Sequence, residues 1–221
     1  MHFPITIVDD FFKNPKAIKE YGKQFSFEPC VKGTFPGERT PNIGAVEGHY
    51  SFFNHILSKF LSIYYPGIAD DIAFNATLFF QKISNDFKNP GFVHKDDPAE
   101  ITVLVYLSDH ENCGTSFFEP LSFPTGYQDK HILQQKQYMY TTKDFKKELD
   151  TVNECNKYFK EILSVPSKFN RAILFDSGYF HGVKNFIDKD MKEDRLTLIG
   201  FFYDLTYNRL KYPITESLRK Y

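Results

Sequence analysis

Arg171-Ala172-Ile173-Leu174-Phe175-Asp176-Ser177-Gly178-Tyr179-Phe180-His181-Gly182-Val183 reads as strand, turn, strand. Arg171 to Phe175 has strand length and an unbroken apolar stretch, the pattern of a strand buried on both faces. Asp176-Ser177-Gly178 carries the residues that turn a chain, through side-chain hydrogen bonds to local backbone and a permissive glycine. Tyr179 to Val183 then brings in His181. A histidine in that position projects from the end of a buried strand. The other histidines, His2, His49, His55, His110 and His131, sit in polar or helical settings and read as ordinary surface or core residues.

Further strands lie on either side of this unit. Ile5 to Val8, Ala73 to Ile83, Phe92-Val93, Ile101 to Leu107, Thr115 to Phe118 and Leu196 to Tyr203 are short, β-favouring and separated by turn residues. Such spacing predicts a sandwich or barrel, mainly β with flanking helices. The chain has 25 Phe, 14 Tyr and no Trp. Aromatics pack well on pleated surfaces, so most of them belong to this core, and a few are left to line a pocket. Helices are expected from Asn14-Pro15 to about Phe25, with Asn14 as N-cap and Pro15 in the first turn, and from Tyr50 to Tyr64. Phe35 to Pro41 reads as a loop from its Pro and Gly content.

The expected organisation is one domain over 1–221, with helices in about 14–65 and a β core in about 72–205. An insertion over about 121–165 interrupts the core after Phe118-Glu119-Pro120 and returns at Val165-Pro166. Its first part, 121–142, is polar and without period, while 143–163 has apolar residues at helical spacing. It is too short and polar to bury its own core. Tyr127, Tyr138 and Tyr140 suit either a lid over substrate or a cover on one sheet.

Composition narrows the class. With 42% hydrophobic and 25% charged residues, the 221-residue chain has material for a packed core. A formal net charge of −1 gives no electrostatic footprint for nucleic acid or an anionic membrane. Cys30, Cys113 and Cys155 are odd in number and scattered, which points away from a disulfide framework and towards the reducing cytoplasm. The first residues, Met1-His2-Phe3-Pro4, start no basic-then-apolar leader, and no apolar run is long enough to span a bilayer.

Three pieces carry chemistry. In His94-Lys95-Asp96, if the backbone is extended, residues i and i+2 share a face, so His94 and Asp96 point together. Alone this could be a solvated loop. With His181 it supplies two imidazoles and one carboxylate on one side of a metal, the facial set of non-haem Fe(II) oxygenases. Arg195 lies 14 residues past His181 and opens a nearly wholly apolar strand. It sits either in water at the strand mouth or against an anion, and a carboxylate is its best geometric match. Thr197 shares its face. Tyr106 ends the apolar strand from Ile101, where it could reach the same anion or serve as a core aromatic.

Taken in order, these pieces resemble the 2-oxoglutarate/Fe(II)-dependent dioxygenases of the prolyl 4-hydroxylase-like branch. His94-Lys95-Asp96-Asp97-Pro98 resembles the family's His-x-Asp motif. Thr102 to Ser108 resembles its Thr-x-x-x-Tyr-Leu-Asn strand, and Gly114-Thr115-Ser116-Phe117-Phe118 its Gly-Gly-x-x-x-Phe turn. Asn170 to Phe175 followed by His181-Gly182-Val183 resembles the strand and distal histidine, and Arg195 to Asp204 the closing strand. Departures are Cys113 for a second glycine, Ser108 for asparagine, and Phe79-Phe80-Gln81-Lys82 where a tyrosine is frequent. The Val8-Asp9-Asp10-Phe11-Phe12 opening and the Phe35-Pro36-Gly37 loop resemble small uncharacterised members.

The resemblance implies a double-stranded β-helix (jelly-roll or cupin-like) core. It also implies Fe(II) held by His94, Asp96 and His181, and 2-oxoglutarate held by Arg195, Tyr106 and Thr197. O₂ would be the oxidant, with hydroxylation of a C–H bond coupled to release of succinate and CO₂. Beyond 2-oxoglutarate, the partner is an unidentified substrate: a prolyl or other side chain in a peptide or protein, or a small molecule. Nothing in the sequence indicates the oligomeric state. Two alternatives stay open: a cupin-like Zn²⁺ or Mn²⁺ enzyme that does not use 2-oxoglutarate, and a non-catalytic binding protein on the same fold. Arg195 speaks against the first and the costly buried ligand set against the second.

Overall fold

The computed structural model describes residues 3–30, 35–65, 72–85, 87, 91–110, 112–122, 145–186 and 193–207. The described strands form two antiparallel sheets. The larger is ordered β1 (Thr6–Val8), β8 (Ala172–Asp176), β5 (Ile101–Tyr106), β10 (Arg195–Tyr207), β4 (Ile72–Ile83), β3 (Glu38–Arg39), β2 (Glu28–Pro29). The smaller is ordered β7 (Phe159–Pro166), β6 (Gly114–Pro120), β9 (Phe180–Val183). This is the mainly β architecture expected from the strand pattern, in the double-stranded β-helix form that the family resemblance implies.

The apolar runs are continuous because the large sheet is covered on both faces. Every residue of β5 is buried. Val103 and Val105, with Leu78 and Phe80 of β4 and Leu198 and Phe202 of β10, pack outward against helix α2 (Tyr50–Tyr64). That helix presents Phe53, Ile56, Leu57, Phe60 and Leu61, spaced three and four apart. Burying each such side chain contributes about 1.5–3 kcal/mol relative to leaving it exposed. The alternate residues, Leu104, Tyr106, Ile173 and Phe175, face inward and meet Phe117 and Val165 of the small sheet. Thus the inner face of the large sheet and the small sheet together enclose an interior.

Helix α1 (Pro15–Gly22) starts as expected: the Asn14 side chain accepts from the Ala17 N–H at 3.2 Å, and Pro15 sits in the first turn. It stops at Gly22 rather than Phe25. Gly22 lies so close to the Phe80 ring that a Cβ there would meet it at 2.6 Å. Phe25 instead joins Tyr21, His49 and Phe80 in an aromatic cluster.

Three expectations are corrected. Residues 143–163 are not one helix: α3 spans Phe145–Asn156, and Phe159–Pro166 is strand β7, paired along β6 from Gly114↔Pro166 to Pro120↔Phe159. Phe159, Ile162 and Leu163 match helical spacing, but so short an apolar run fits either period, and pairing with β6 decides it. The excursion therefore returns at Phe159, not Val165. Phe92-Val93 is not a strand: both residues pack against Val152 and Cys155 of α3, and the Asn156 side chain accepts from the Val93 N–H. Glu38-Arg39, read as loop, forms the short strand β3 at Glu38↔Lys82 and Arg39↔Gln81. The lid residues Tyr127, Tyr138 and Tyr140, and all of 123–142, lie outside the described residues.

Candidate metal centre

His94 and His181 are held back to back by a two-bond bridge. The His94 N–H donates to the His181 carbonyl at 2.8 Å, and the His181 N–H to the His94 carbonyl at 2.9 Å. His181 itself is paired in β9 with Phe117 of β6, so both rings hang from the small sheet. Their centroids are 4.5 Å apart. Each ring is fixed by the same local device, in which Nδ1–H donates to the carbonyl two residues earlier: Phe92 at 2.8 Å for His94, Tyr179 at 3.0 Å for His181. That tautomer turns both Nε2 atoms towards Asp96, leaving them as the metal-facing nitrogens.

Asp96 completes the group. Its Oδ1 lies 3.5 Å from His94 Nε2 and its Oδ2 lies 3.1 Å from His181 Nε2. The ligand atoms of the three residues all fall within 4.8 Å of one another. The Asp96 N–H donates to Ser177, in the turn before β9. From the opposite sheet, the Thr102 hydroxyl of β5 donates to Asp96 Oδ2 at 2.8 Å and contacts Ser177 Oγ at 2.7 Å. The carboxylate is thus clamped between the two sheets. Burial alone would raise its pKa; the imidazoles of His181 and His94 outweigh burial and hold it well below the usual carboxylate range.

These three residues line a cavity of about 130 Å³. Its far wall comes from β10, where Arg195 and Thr197 face inward. Arg195 is 4% exposed, its Nε has no hydrogen-bond partner, and no carboxylate pairs with it among the described residues. Burial pushes its pKa down, but a guanidinium does not lose its proton in a protein. The ring of Tyr106, 5.6 Å from the guanidinium carbon, gives only a weak electrostatic neighbour. A buried cation with an unanswered donor, facing a cavity, matches an incoming carboxylate. The donor set therefore fits both a facial metal ion and a dicarboxylate beside it.

Tyr106 is placed differently from Arg195 and Thr197. Its phenol lies wholly within the inner core and bonds Thr115 Oγ1 at 2.8 Å; Thr115, not Tyr106, lines the cavity. Burial raises its pKa, so it stays a neutral phenol. Arg39 and Gln81, which the sequence did not single out, also line the cavity. Gln81 faces Thr197 across β4 and β10 and Arg39 across β4 and β3, so the three side chains form one inward-facing row. No motif marks Arg39, because only the pairing of a two-residue strand puts it there. By contrast Lys82 pairs with Glu38 at 2.7 Å and Lys184 reaches Ser164; neither lines the cavity.

A family model matches residues 2–202. The chain belongs to DUF6445, a family of unknown function. Among curated proteins no sequence matches it. Solved structures do. The epimerase SnoN in complex with Fe³⁺, α-ketoglutarate and nogalamycin RO aligns at TM-score 0.55 and 9% identity, over 92% of this chain and 81% of SnoN. HygX from Streptomyces hygroscopicus, with nickel and 2-oxoglutarate bound, aligns at 0.52 and 12%, over 90% and 83%. A 2OG-Fe(II) oxygenase family oxidoreductase from Burkholderia pseudomallei aligns at 0.52 and 12%, over 90% and 84%. At such identities the likeness is one of fold: the DUF6445 chain has the double-stranded β-helix of the 2-oxoglutarate/Fe(II) oxygenases.

Proposed function

We propose that this chain is a 2-oxoglutarate- and Fe(II)-dependent dioxygenase that oxidises a C–H bond, folded as one domain. The observation that carries the reading is the pairing, across one cavity, of two outward Nε2 atoms and a carboxylate with a buried guanidinium that no carboxylate among the described residues answers. In this reading His94, Asp96 and His181 hold the metal, and Arg195 with Thr197 holds the far carboxylate of 2-oxoglutarate. Tyr106 contributes at that end through its neutral phenol and its partner Thr115. Iron, when bound, supplies the O₂-dependent oxidation in which 2-oxoglutarate becomes succinate and CO₂. The protein's own part is placement: the sheet-to-sheet clamp on Asp96 fixes the ligand face, and Phe92, Phe175 and Phe186 keep bulk water from it.

The order of the His-x-Asp, distal histidine and arginine segments supports the prolyl 4-hydroxylase-like branch. The reaction and substrate are separate matters, since one fold hosts many. Structural neighbours include an epimerase, and crystals of such neighbours hold nogalamycin RO and hygromycin B. Those ligands favour a small molecule over a peptidyl side chain. Hydroxylation is the outcome we assign. The odd number and scatter of Cys30, Cys113 and Cys155 support a reducing compartment such as the cytoplasm. No helix among the described residues is long and apolar enough to cross a membrane. A metalloenzyme without 2-oxoglutarate would leave Arg195 buried with no anion to meet among the described residues.

The test is a succinate-release screen with Fe(II), ascorbate and 2-oxoglutarate over amino acids, small metabolites and peptides. Succinate that depends on both iron and added substrate supports the reading. Metal-dependent turnover of a substrate with no consumption of 2-oxoglutarate contradicts it.

A further inference from the structure

His94 is preceded by a segment, 91–93, that is neither strand nor helix and lies between β9 and α3. The side chain of Asn156, the last residue of α3, grips this segment at both ends. Its Oδ1 accepts from the Val93 N–H at 3.1 Å, and its Nδ2 donates to the Gly91 carbonyl at 3.0 Å. A primary amide offers an acceptor and donors at once, as the peptide of a neighbouring strand would. The two bonds straddle Phe92, whose carbonyl accepts from His94 Nδ1 at 2.8 Å. The Phe92 ring is buried with Val152 and Cys155 of the same helix. On the other side, two glycines let the segment lie flush on β9. A Cβ at Gly91 would meet the Val183 carbonyl at 2.1 Å, and one at Gly182 would meet the Phe92 carbonyl at 3.0 Å. The amide bonds fall on the His94 side of the centre, whereas His181 Nδ1–H donates to the Tyr179 carbonyl.

We propose that Asn156 is a positioning residue of the metal centre, acting on His94 through the Phe92–Val93 peptide. That peptide is planar, so the N–H that Asn156 holds and the carbonyl that holds His94 point in opposite directions from one rigid unit. Fixing one end aims the other. Each of the two hydrogen bonds also polarises the peptide in the sense that strengthens its partner. The Phe92 carbonyl then keeps the proton on His94 Nδ1 and leaves Nε2 open beside Asp96. A helix from the excursion between β6 and β7 thus takes part in the centre, although it supplies no ligand. The amide is specific: an isosteric aspartate at 156 still accepts from Val93 but has nothing to donate to the Gly91 carbonyl. This inference rests on the reading of His94 as a metal ligand.

The experiment uses the whole chain with ¹⁵N-labelled imidazoles, loaded with Zn²⁺. NMR reads the Nδ1 proton of each histidine, and competition with a chelator reads Zn²⁺ affinity. In wild type, His94 and His181 should both carry an Nδ1 proton protected from exchange with solvent. In Asn156→Ala the His94 proton should exchange faster while that of His181 is unchanged, and Zn²⁺ should bind about tenfold more weakly. Asn156→Asp should fall between the two. Val152→Ala loosens the packing of α3 on Phe92 without touching the amide; it should lower the melting temperature and keep Zn²⁺ affinity within about threefold of wild type. An Asn156→Ala protein with His94 exchange and Zn²⁺ affinity like wild type overturns the proposal. So does equal loosening of both histidines, or an equal loss of affinity in Val152→Ala, since Asn156 would then only fasten α3. Should Asn156→Ala not fold, the isosteric Asn156→Asp decides by the same readouts. Wild type that binds no Zn²⁺ overturns the metal centre itself and this inference with it, and the first titration tells that result apart.

Discussion

Replacing Arg195 by methionine should move binding and stability in opposite directions. Arg195 is 4% exposed and its Nε bonds nothing among the described residues, so without an anion the fold carries a buried, unanswered charge. An unsatisfied buried donor costs about 1–3 kcal/mol, and more when charged. Methionine has a similar length, no charge and a flexible chain that fills the space left beside Tyr106. The Arg195→Met protein without 2-oxoglutarate should therefore melt at or above the wild-type temperature, by roughly 2–4 °C for each kcal/mol recovered in a chain of this size. Binding goes the other way. A hydrogen bond to a charged group contributes about 1.5–3 kcal/mol, so losing it should weaken 2-oxoglutarate about ten- to a hundredfold. Calorimetry on the anaerobic Mn²⁺-loaded protein measures the affinity, and differential scanning fluorimetry measures the melting. The reasoning fails if Arg195→Met binds 2-oxoglutarate as wild type does. It fails equally if the unliganded variant melts several degrees lower, because Arg195 would then be an internal structural cation.

Thr102→Val removes the hydroxyl that donates to Asp96 Oδ2 at 2.8 Å and should weaken metal binding about ten- to a hundredfold, measured by competition with a chelator. Tyr106→Phe should weaken 2-oxoglutarate less than Arg195→Met does, since it removes one neutral group; the same calorimetry ranks the two. Asp9 meets Arg171 at 2.6 and 3.0 Å and Lys168 at 3.0 Å, joining the loop after β1 to the approach to β8. The hydrogen bonds from Arg171 hold the Asp9 carboxyl far below its ordinary value of 3.8. Because the folded pKa is the lower one, this contribution is complete above that ordinary value and fades as pH falls below it. Asp9 is well exposed, so Asp9→Asn should cost only about 0.2–1 kcal/mol at neutral pH, and melting curves of the two proteins should converge in strong acid.

Much of the site could be read before the fold because its chemistry is local. His94 and Asp96 are two residues apart, and His181 follows a turn that Asp176-Ser177-Gly178 announces. The devices that finish the site are long-range. The Thr102 clamp on Asp96 joins two sheets, and the Nδ1 bonds to Phe92 and Tyr179 depend on backbone geometry that no side-chain pattern encodes. Arg39 was illegible for a related reason: β3 is two residues long and exists only through its pairing with β4. The misread 159–163 segment shows the limit of periodicity. Phe159, Ile162 and Leu163 sit on an edge strand whose outer residues are exposed, so its apolar pattern carries little of the alternation that marks a strand.

The central claim is tested most directly by an anaerobic titration of Fe(II), then 2-oxoglutarate, into wild type and His181→Ala, followed by calorimetry and visible absorption. The account predicts one Fe(II) per chain in wild type, and 2-oxoglutarate binding with a new visible charge-transfer band only once iron is present. Both should be lost in His181→Ala, whose far-UV circular dichroism remains that of the folded protein. Tight 2-oxoglutarate binding without metal, or an unchanged band in His181→Ala, would contradict a metal centre built from His94, Asp96 and His181.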